Sequence, residues 1–288
     1  MIQELGERKL YNEFEHKAAE PSDSVFVFDG DRILVRARQD GKLTVPQAAD
    51  FSGKALQYLF RIEEDGYFLL SGCGQVREEE LLQLPEIGKL LGDGFFWEST
   101  RNLRNLAHKE LAFAASTAHH LYQWYRDSQF CGRCGEKLTP DHKERMMRCS
   151  ACGNTVYPKI APAVIVGVIN GDKILLTKYN GRAYKKYALI AGFTEIGETA
   201  EETVAREVME EAGIKVKDIT YYKSQPWGTD CNLLLGFFCH VDGSDKITMD
   251  AEELSVAEWV SRDEMDVKDD GISLTREMMR VFKEGRVK

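Results

Sequence analysis

GFTEIGETAEETVAREVMEEAGI, residues 192–214, is the stretch on which the reading of this chain turns. Glu207, Glu210 and Glu211 stand at positions i, i+3 and i+4, so a helix turns their carboxylates to one face. Like charges so placed repel, and alone they weaken a helix. A divalent cation reverses the sign, because hard oxygen ligands converging on one face suit Mg²⁺ or Mn²⁺. The helix has readable ends. Thr199 with Glu202 three residues on is a capping-box pattern, and Gly213 supplies the left-handed residue at the C-terminus. Ala200, Val204, Val208 and Ala212 recur every four residues and mark the buried side. Arg206 precedes the first of the three glutamates and is placed to pair with a neighbouring carboxylate.

The 288 residues suggest about two domains, with ample sequence for real cores. A net charge of −9 and a pI near 5.3 argue against a non-specific nucleic-acid binder or a membrane-surface protein. Metal ions can still bridge an acidic protein to a phosphorylated substrate. The opening residues MIQELGERKLYNEFEH have no apolar h-region, so no signal peptide is expected. The longest apolar run, Ala161–Ile169, is too short to span a bilayer. Of seven cysteines, four are spaced as metal ligands. Cys73, Cys231 and Cys239 are scattered in apolar stretches and read as free thiols, which places the chain in a reducing cytoplasm.

Residues 24–70 are β-rich. SVFVF, Asp29-Gly30 and RILVR form one hairpin signal, and ALQYLFRI, EEDG and YFLLS a second. VFDGDRILVR at 27–36 is echoed by VINGDKILLT at 168–177, which implies an internal duplication without a second acidic box. From Ser99 to Phe130 the apolar spacing is helical, through Leu103, Leu106, Leu111, Ala114, Ala118, Leu121 and Trp124. His119 and His120 are neighbours on different helix faces and read as packing or surface residues.

Two Cys-x-x-Cys knuckles follow, Cys131/Cys134 and Cys149/Cys152, with fourteen residues between them. Four soft ligands make a closed tetrahedral Zn²⁺ site with no open position, so this metal is expected to be structural. A redox dithiol normally uses one such pair on a helix. Beyond the knuckles come APAVIVGVI, Asn170-Gly171 and DKILLTKY, then YALIAGF leading into the box. Three more strand-like runs follow, ITYYKSQPW, NLLLGFFCHV and VAEWVSRDEM, and a helix from about Leu274 to Lys283. Strands flanking one catalytic helix, with another at the end, predict an α/β fold: an α/β/α sandwich with a mixed sheet.

Gly192, Glu198, Arg206, Glu207, Val208, Glu210, Glu211, Gly213 and Ile214 match every defining position of the Nudix box. Agreement at nine positions sets the stretch apart from an ordinary solvated acidic helix face. The order of parts (ribbon, YPKIAP, AGF and the box, then Ser224-Gln225-Pro226-Trp227) resembles the NADH pyrophosphatase (NAD diphosphatase) branch of the Nudix hydrolases over most of the chain. The resemblance implies an inactive Nudix-like N-terminal domain with its connecting helix over 1–128, a zinc ribbon over 129–156 and a catalytic Nudix domain over 157–288. It implies Mg²⁺ or Mn²⁺ held by Glu207, Glu211, Glu253 and the Ala191 carbonyl, with Glu210 and Arg206 close by; Glu252 is the fallback for Glu253. It implies substrate contacts at Arg101, Glu144, Tyr157, Phe193, Gln225, Pro226, Trp227 and Thr275. Core packing is the plainer alternative for Tyr157 and Phe193. Trp227 in such enzymes reaches the partner's site, which implies a homodimer. The family usually continues Pro-Phe-Pro-x-Ser after SQPW, whereas this chain has Gly228-Thr229-Asp230-Cys231-Asn232.

The activity so implied is metal-dependent hydrolysis of the diphosphate linkage of NADH or NAD⁺ to NMN(H) and AMP. NAD-capped RNA 5′ ends carry the same linkage and belong to the same expectation. Two alternatives remain open: hydrolysis of another nucleoside diphosphate compound such as ADP-ribose, and a non-catalytic Nudix-fold ligand sensor. Intact box carboxylates argue against the sensor.

Overall fold

The structure is a computed structural model that describes residues 1–70, 80–81, 83–181, 186–268 and 270–287. Cys73 lies outside the described residues. The chain forms two compact units: Met1 with 160–227 and 232–288, and 2–159 with 228–231. The ribbon thus groups with the N-terminal residues. Among the described residues no helix is long and apolar enough to cross a membrane.

In the C-terminal unit the strand Ala161–Asn170 carries the design. Its even residues Val164, Val166 and Val168 join one core with Val204, Val208 and Ala212 of the box helix, Ala200–Ala212. Its odd residues Ile165 and Ile169 join a second core with Leu274, Met278 and Phe282 of the C-terminal helix, Leu274–Lys283. Alternate side chains of a strand face opposite ways, so an apolar run that shows no alternation is what a sheet covered on both faces requires. Each fully buried valine contributes about 1.5–3 kcal/mol. The six-stranded sheet runs 216–227, 232–241, 161–170, 173–179, 254–261, with 190–193 also paired to 161–170. Only 161–170 and 232–241 run parallel; the other pairs are antiparallel. This is the expected α/β/α sandwich on a mixed sheet.

The N-terminal unit repeats that wiring. Strand 24–26 runs parallel to 65–70, which pairs antiparallel with 56–62. Residues 28–29 and 32–37 form a hairpin, and 95–99 adds antiparallel to 32–37. The C-terminal counterparts are, in order, 161–170, 232–241, 216–227, the hairpin strand 173–179, and 254–261. Both hairpins turn at a left-handed glycine, Gly30 with φ 55° and Gly171 with φ 61°. A helix follows the last of these strands in each unit, Lys109–Asp127 in the first and Leu274–Lys283 in the second. Where the second unit has its box helix, the first has only a two-residue strand, Leu43–Thr44, and a 3-10 turn, Ala48–Phe51.

The helix expected from Ser99 begins ten residues later. Ser99 caps a 3-10 turn over Thr100–Asn105 by accepting from the Arg101 amide, and Leu106 is extended. The α-helix starts only after His108, whose Nδ1 accepts from the Leu111 amide at 3.2 Å. His119 is a packing residue: it is fully buried, with Nε2 3.1 Å from the Gly30 carbonyl. His120 lies 2.7 Å from the Lys159 carbonyl.

Candidate active site

The box helix begins and ends as its sequence dictates. Thr199 Oγ1 accepts from the Glu202 amide at 3.2 Å, and Glu202 accepts from the Thr199 amide at 2.8 Å. Gly213 closes the helix with φ 69°. Arg206 is the hub. Its guanidinium reaches Glu198 at 2.6 Å, Glu207 at 2.7 Å, Glu210 at 2.9 Å and the Phe193 carbonyl at 2.9 Å. One cation therefore fixes three box carboxylates and ties the helix to the end of strand Ile190–Phe193. Beside Arg206, with further help from the Glu195 amide, the Glu198 carboxyl is pulled down to about 2.

Glu207 and Glu211 are buried, whereas Glu210 and Glu253 are exposed. Burial pushes the Glu207 carboxyl up, against the pull of Arg206, and the charges of Glu210 and Glu253 add to the rise. Segment 248–254 crosses the end of the helix: the Thr248 amide donates to the Ala212 carbonyl at 2.8 Å, and Asp250 to Glu211 at 3.0 Å. That run carries Glu253 close enough for its charge to act on Glu207, but among the described residues the carboxylate oxygens of Glu207, Glu211 and Glu253 do not all lie within 4.8 Å of one another. The Ala191 carbonyl accepts from the Tyr179 hydroxyl at 3.4 Å.

The residues fit a divalent cation in two respects. The donor set is hard oxygen, as Mg²⁺ or Mn²⁺ demands. Gly192 also leaves the space that the Glu207 carboxylate fills, since a Cβ there would lie 1.9 Å from its Cδ.

The other expected contacts fall in several places. Phe193 and Tyr157 are each 54 % exposed, which excludes plain core packing. Tyr157 donates to Glu144 at 2.6 Å, so two expected substrate contacts are joined to each other. Trp227 is half-buried at the end of strand Val216–Trp227, Pro226 beside it is exposed, and Thr275 is half-buried in the first turn of the C-terminal helix. Gln225 differs from expectation. It is fully buried, donating to the Ile272 carbonyl at 2.7 Å and accepting from the Leu274 amide at 2.7 Å. Its amide fastens the loop ahead of the C-terminal helix to the strand that carries Trp227.

Arg101 forms a two-pronged pair with Asp230, at 2.9 and 3.3 Å. Asp230 belongs to the segment that departs from the family pattern, and close packing accounts for that departure at Gly228. Its peptide packs so closely on helix Lys109–Asp127 that a Cβ would lie 2.0 Å from the Ser116 carbonyl oxygen, and Gln123 donates to the Gly228 carbonyl at 3.3 Å. Proline at this position would not fit. Close backbone packing of this kind has no signature in the sequence beyond the glycine itself.

The four ribbon cysteines come together with their sulfurs all within 4.8 Å; among the described residues no other group of three or more such ligands does so. Sulfur separations of 3.5–3.6 Å approach the edge of a Zn–S tetrahedron, about 3.8 Å. The Arg133 amide donates to Cys131 at 3.4 Å and lowers it, whereas hydrogen bonds to the neighbouring sulfurs raise Cys134. The donor set fits zinc. A three-stranded sheet, 138–140, 147–149 and 155–156, carries the knuckles. Cys231 and Cys239 are free thiols, as expected.

Comparison with known proteins agrees with this geometry. A NUDIX domain model matches residues 159–282, and an NADH pyrophosphatase zinc ribbon domain model matches residues 126–157. The chain is 42% identical over 145 residues to "NAD-capped RNA hydrolase NudC" of Escherichia coli O9:H4 (strain HS), covering 50% of this chain and 56% of that protein. The same values hold for the protein of that name in Shigella boydii serotype 18. The chain thus spans about half the length of the curated relatives it matches. A NUDIX hydrolase structure from Nitrosomonas europaea aligns with 23% identity and a TM-score of 0.47, over 55% of this chain and 92% of that one. Residues 159–282 thus carry a Nudix domain, with the box positions on the expected helix, and residues 126–157 ahead of it carry an NADH pyrophosphatase zinc ribbon domain, with its four cysteines gathered.

Proposed function

We propose that this protein hydrolyses the diphosphate linkage of NADH or NAD⁺ to NMN(H) and AMP, and removes NAD caps from RNA by the same cut. The observation that carries the reading is the box itself: a buried Glu207 pressed against Gly192, with Glu211 one turn on and Arg206 holding the set. The printed name of the 42%-identical relatives supports the same substrate class.

Glu207, Glu211 and the Ala191 carbonyl, with Glu253, would hold Mg²⁺ or Mn²⁺. When bound, the cation neutralises phosphoryl charge and lowers the pKa of water. Arg206 keeps the carboxylates aimed, and Glu253 or a box glutamate takes the proton from the attacking water. Phe193 and Tyr157, with rings open to solvent, suit flat bases. Trp227 is assigned to a partner's site, which makes the working enzyme a homodimer. The N-terminal unit reads as an inactive relative of the C-terminal one, on the strength of its repeated strand order. The boundaries that go with this reading are 1–128, 129–156 and 157–288. Free thiols and a Cys₄ zinc site suit a reducing, cytoplasmic setting.

A second reading, hydrolysis of a diphosphate such as ADP-ribose, is favoured by the altered segment 228–231. A panel of NADH, NAD⁺, NAD-capped RNA and ADP-ribose with Mg²⁺ or Mn²⁺ tests the choice. NMN(H) with AMP as main products and the highest kcat/KM on a nicotinamide substrate support the first reading. Preference for ADP-ribose supports the second.

A further inference from the structure

The N-terminal unit holds a cavity of about 540 Å³ that the proposed hydrolysis does not use. It opens among segment 14–18, residues 56–58, Tyr125 of the long helix and the ribbon residues 140–142 and 146. The volume is that of a small-molecule site. Rings dominate its wall. Phe14 and His16 meet edge-on at 5.1 Å, and the His142 ring lies 6.5 Å from that of His16. His16 Nε2 is 3.1 Å from the His142 carbonyl, and the His142 imidazole has no hydrogen-bond partner among the described residues. Tyr58 adds another ring, with Lys17 Nζ 5.4 Å from its centroid.

The charge around the cavity favours an anion. Its two acids are already neutralised, Glu15 by Lys17 at 2.7 Å and Asp141 by Arg148 at 3.1 Å. Next to the wall, the half-buried Arg145 has backbone carbonyls and a ring as partners: Leu59 at 2.6 Å, Asn12 at 3.5 Å and Phe14 at 5.9 Å, with no carboxylate among the described residues. A guanidinium does not shed its proton, so one positive charge stands uncompensated there. Flat rings, the uncompensated Arg145 beside them and the two ammonium donors that Lys17 keeps beyond its bond to Glu15 together match a base joined to a phosphate.

We propose that this cavity is a second binding site, for a nucleoside monophosphate unit, with the base against Phe14, His16 and Tyr58 and the phosphate on His142 and Lys17. The unit is either a free mononucleotide or one nucleotide of an RNA strand. The ribbon loop that carries His142 also carries Glu144, so occupancy bears directly on the loop that holds the Glu144–Tyr157 pair.

The test is photolabelling of the zinc-loaded full chain with 8-azidoadenosine 5′-monophosphate, with labelled peptides mapped by mass spectrometry. Labels are expected on residues 14–17, 58 or 140–142. Lys17→Ala with His142→Ala, both exposed residues, should cut that labelling about tenfold or more, as loss of charge-assisted contacts implies. Labelling near Phe193 should persist in that variant, which separates this site from the hydrolytic one. Better protection by AMP than by a pentaribonucleotide identifies a free mononucleotide, and the reverse identifies RNA. Labels confined to residues 157–288, labelling at the cavity unchanged in the double variant, or protection by neither competitor would overturn the proposal.

Discussion

Gly192 and Glu207 occupy each other's space: a Cβ built on Gly192 falls 1.9 Å from Cδ of Glu207 and 2.0–2.2 Å from its two carboxylate oxygens. Gly192→Ala therefore drives the Glu207 carboxylate out of its place. Because Glu207 pairs with Arg206 rather than packing in the apolar core, the sandwich survives. The expected outcome is a loss of kcat/KM on NADH of roughly a hundredfold or more, since an ångström of misplacement alone costs about that much. Steady-state kinetics checks this, with circular dichroism to show the fold retained.

The ribbon makes a second prediction. Site and fold share their free energy in such small domains, about 10–16 kcal/mol of apparent zinc affinity in zinc-finger peptides. One tightly held Zn²⁺ per chain is expected. Cys149→Ser, at a buried ligand, should lose the metal and expose the amides of residues 131–156 to hydrogen exchange. Metal analysis finding no zinc in the wild type, or a disulfide among these cysteines, contradicts it.

Acid should act through Glu198. Its folded carboxyl is depressed to about 2 from the usual 4.5, chiefly by Arg206. A depressed carboxyl contributes stability that is full above its unfolded value and lost as pH falls through its folded one. Between pH 4.5 and 2 the wild type should thus lose stability more steeply than Glu198→Gln, whose neutral side chain does not titrate. Thermal melts across that window measure the difference.

Much of this arrangement was legible in the sequence because it is local. The caps of the box helix, the four-residue spacing of its buried face and the two knuckles all depend on residues within a few turns of one another. The start of the long helix was not legible, because Ser99 and His108 compete as caps and the 3-10 turn between them keeps helical apolar spacing. Gln225 was read through its motif as a substrate contact, but it is buried against the backbone at 272 and 274, nearly fifty residues on. Close approaches such as Gly192 to Glu207 and Gly228 to Ser116 are long-range facts that a glycine alone does not announce. The repeated strand order of the N-terminal unit was visible only as one echoed hairpin.

Trp227 tests the dinucleotide reading. Stacking of a base on an aromatic face is worth ~1–3 kcal/mol, or about one to two decades in affinity. Trp227→Ala should lower kcat/KM for NADH at least about tenfold, while a small diphosphate substrate without nicotinamide is much less affected. Equal losses on both substrates would make Trp227 structural and remove its support for NADH.

The central claim is that the box carboxylates hold the metal that cuts the dinucleotide. The most direct measurement is Mg²⁺- or Mn²⁺-dependent release of AMP and NMNH from NADH by the wild type, Glu207→Gln and Glu211→Gln side by side. Glutamine keeps the shape and one acceptor oxygen but drops the charge that holds the cation. The wild type should release both products only with the metal present. Each variant should fall by orders of magnitude while staying folded, and Glu207→Gln should melt no lower than the wild type without metal, because it removes a buried charge. Near wild-type AMP release by both variants would contradict the account.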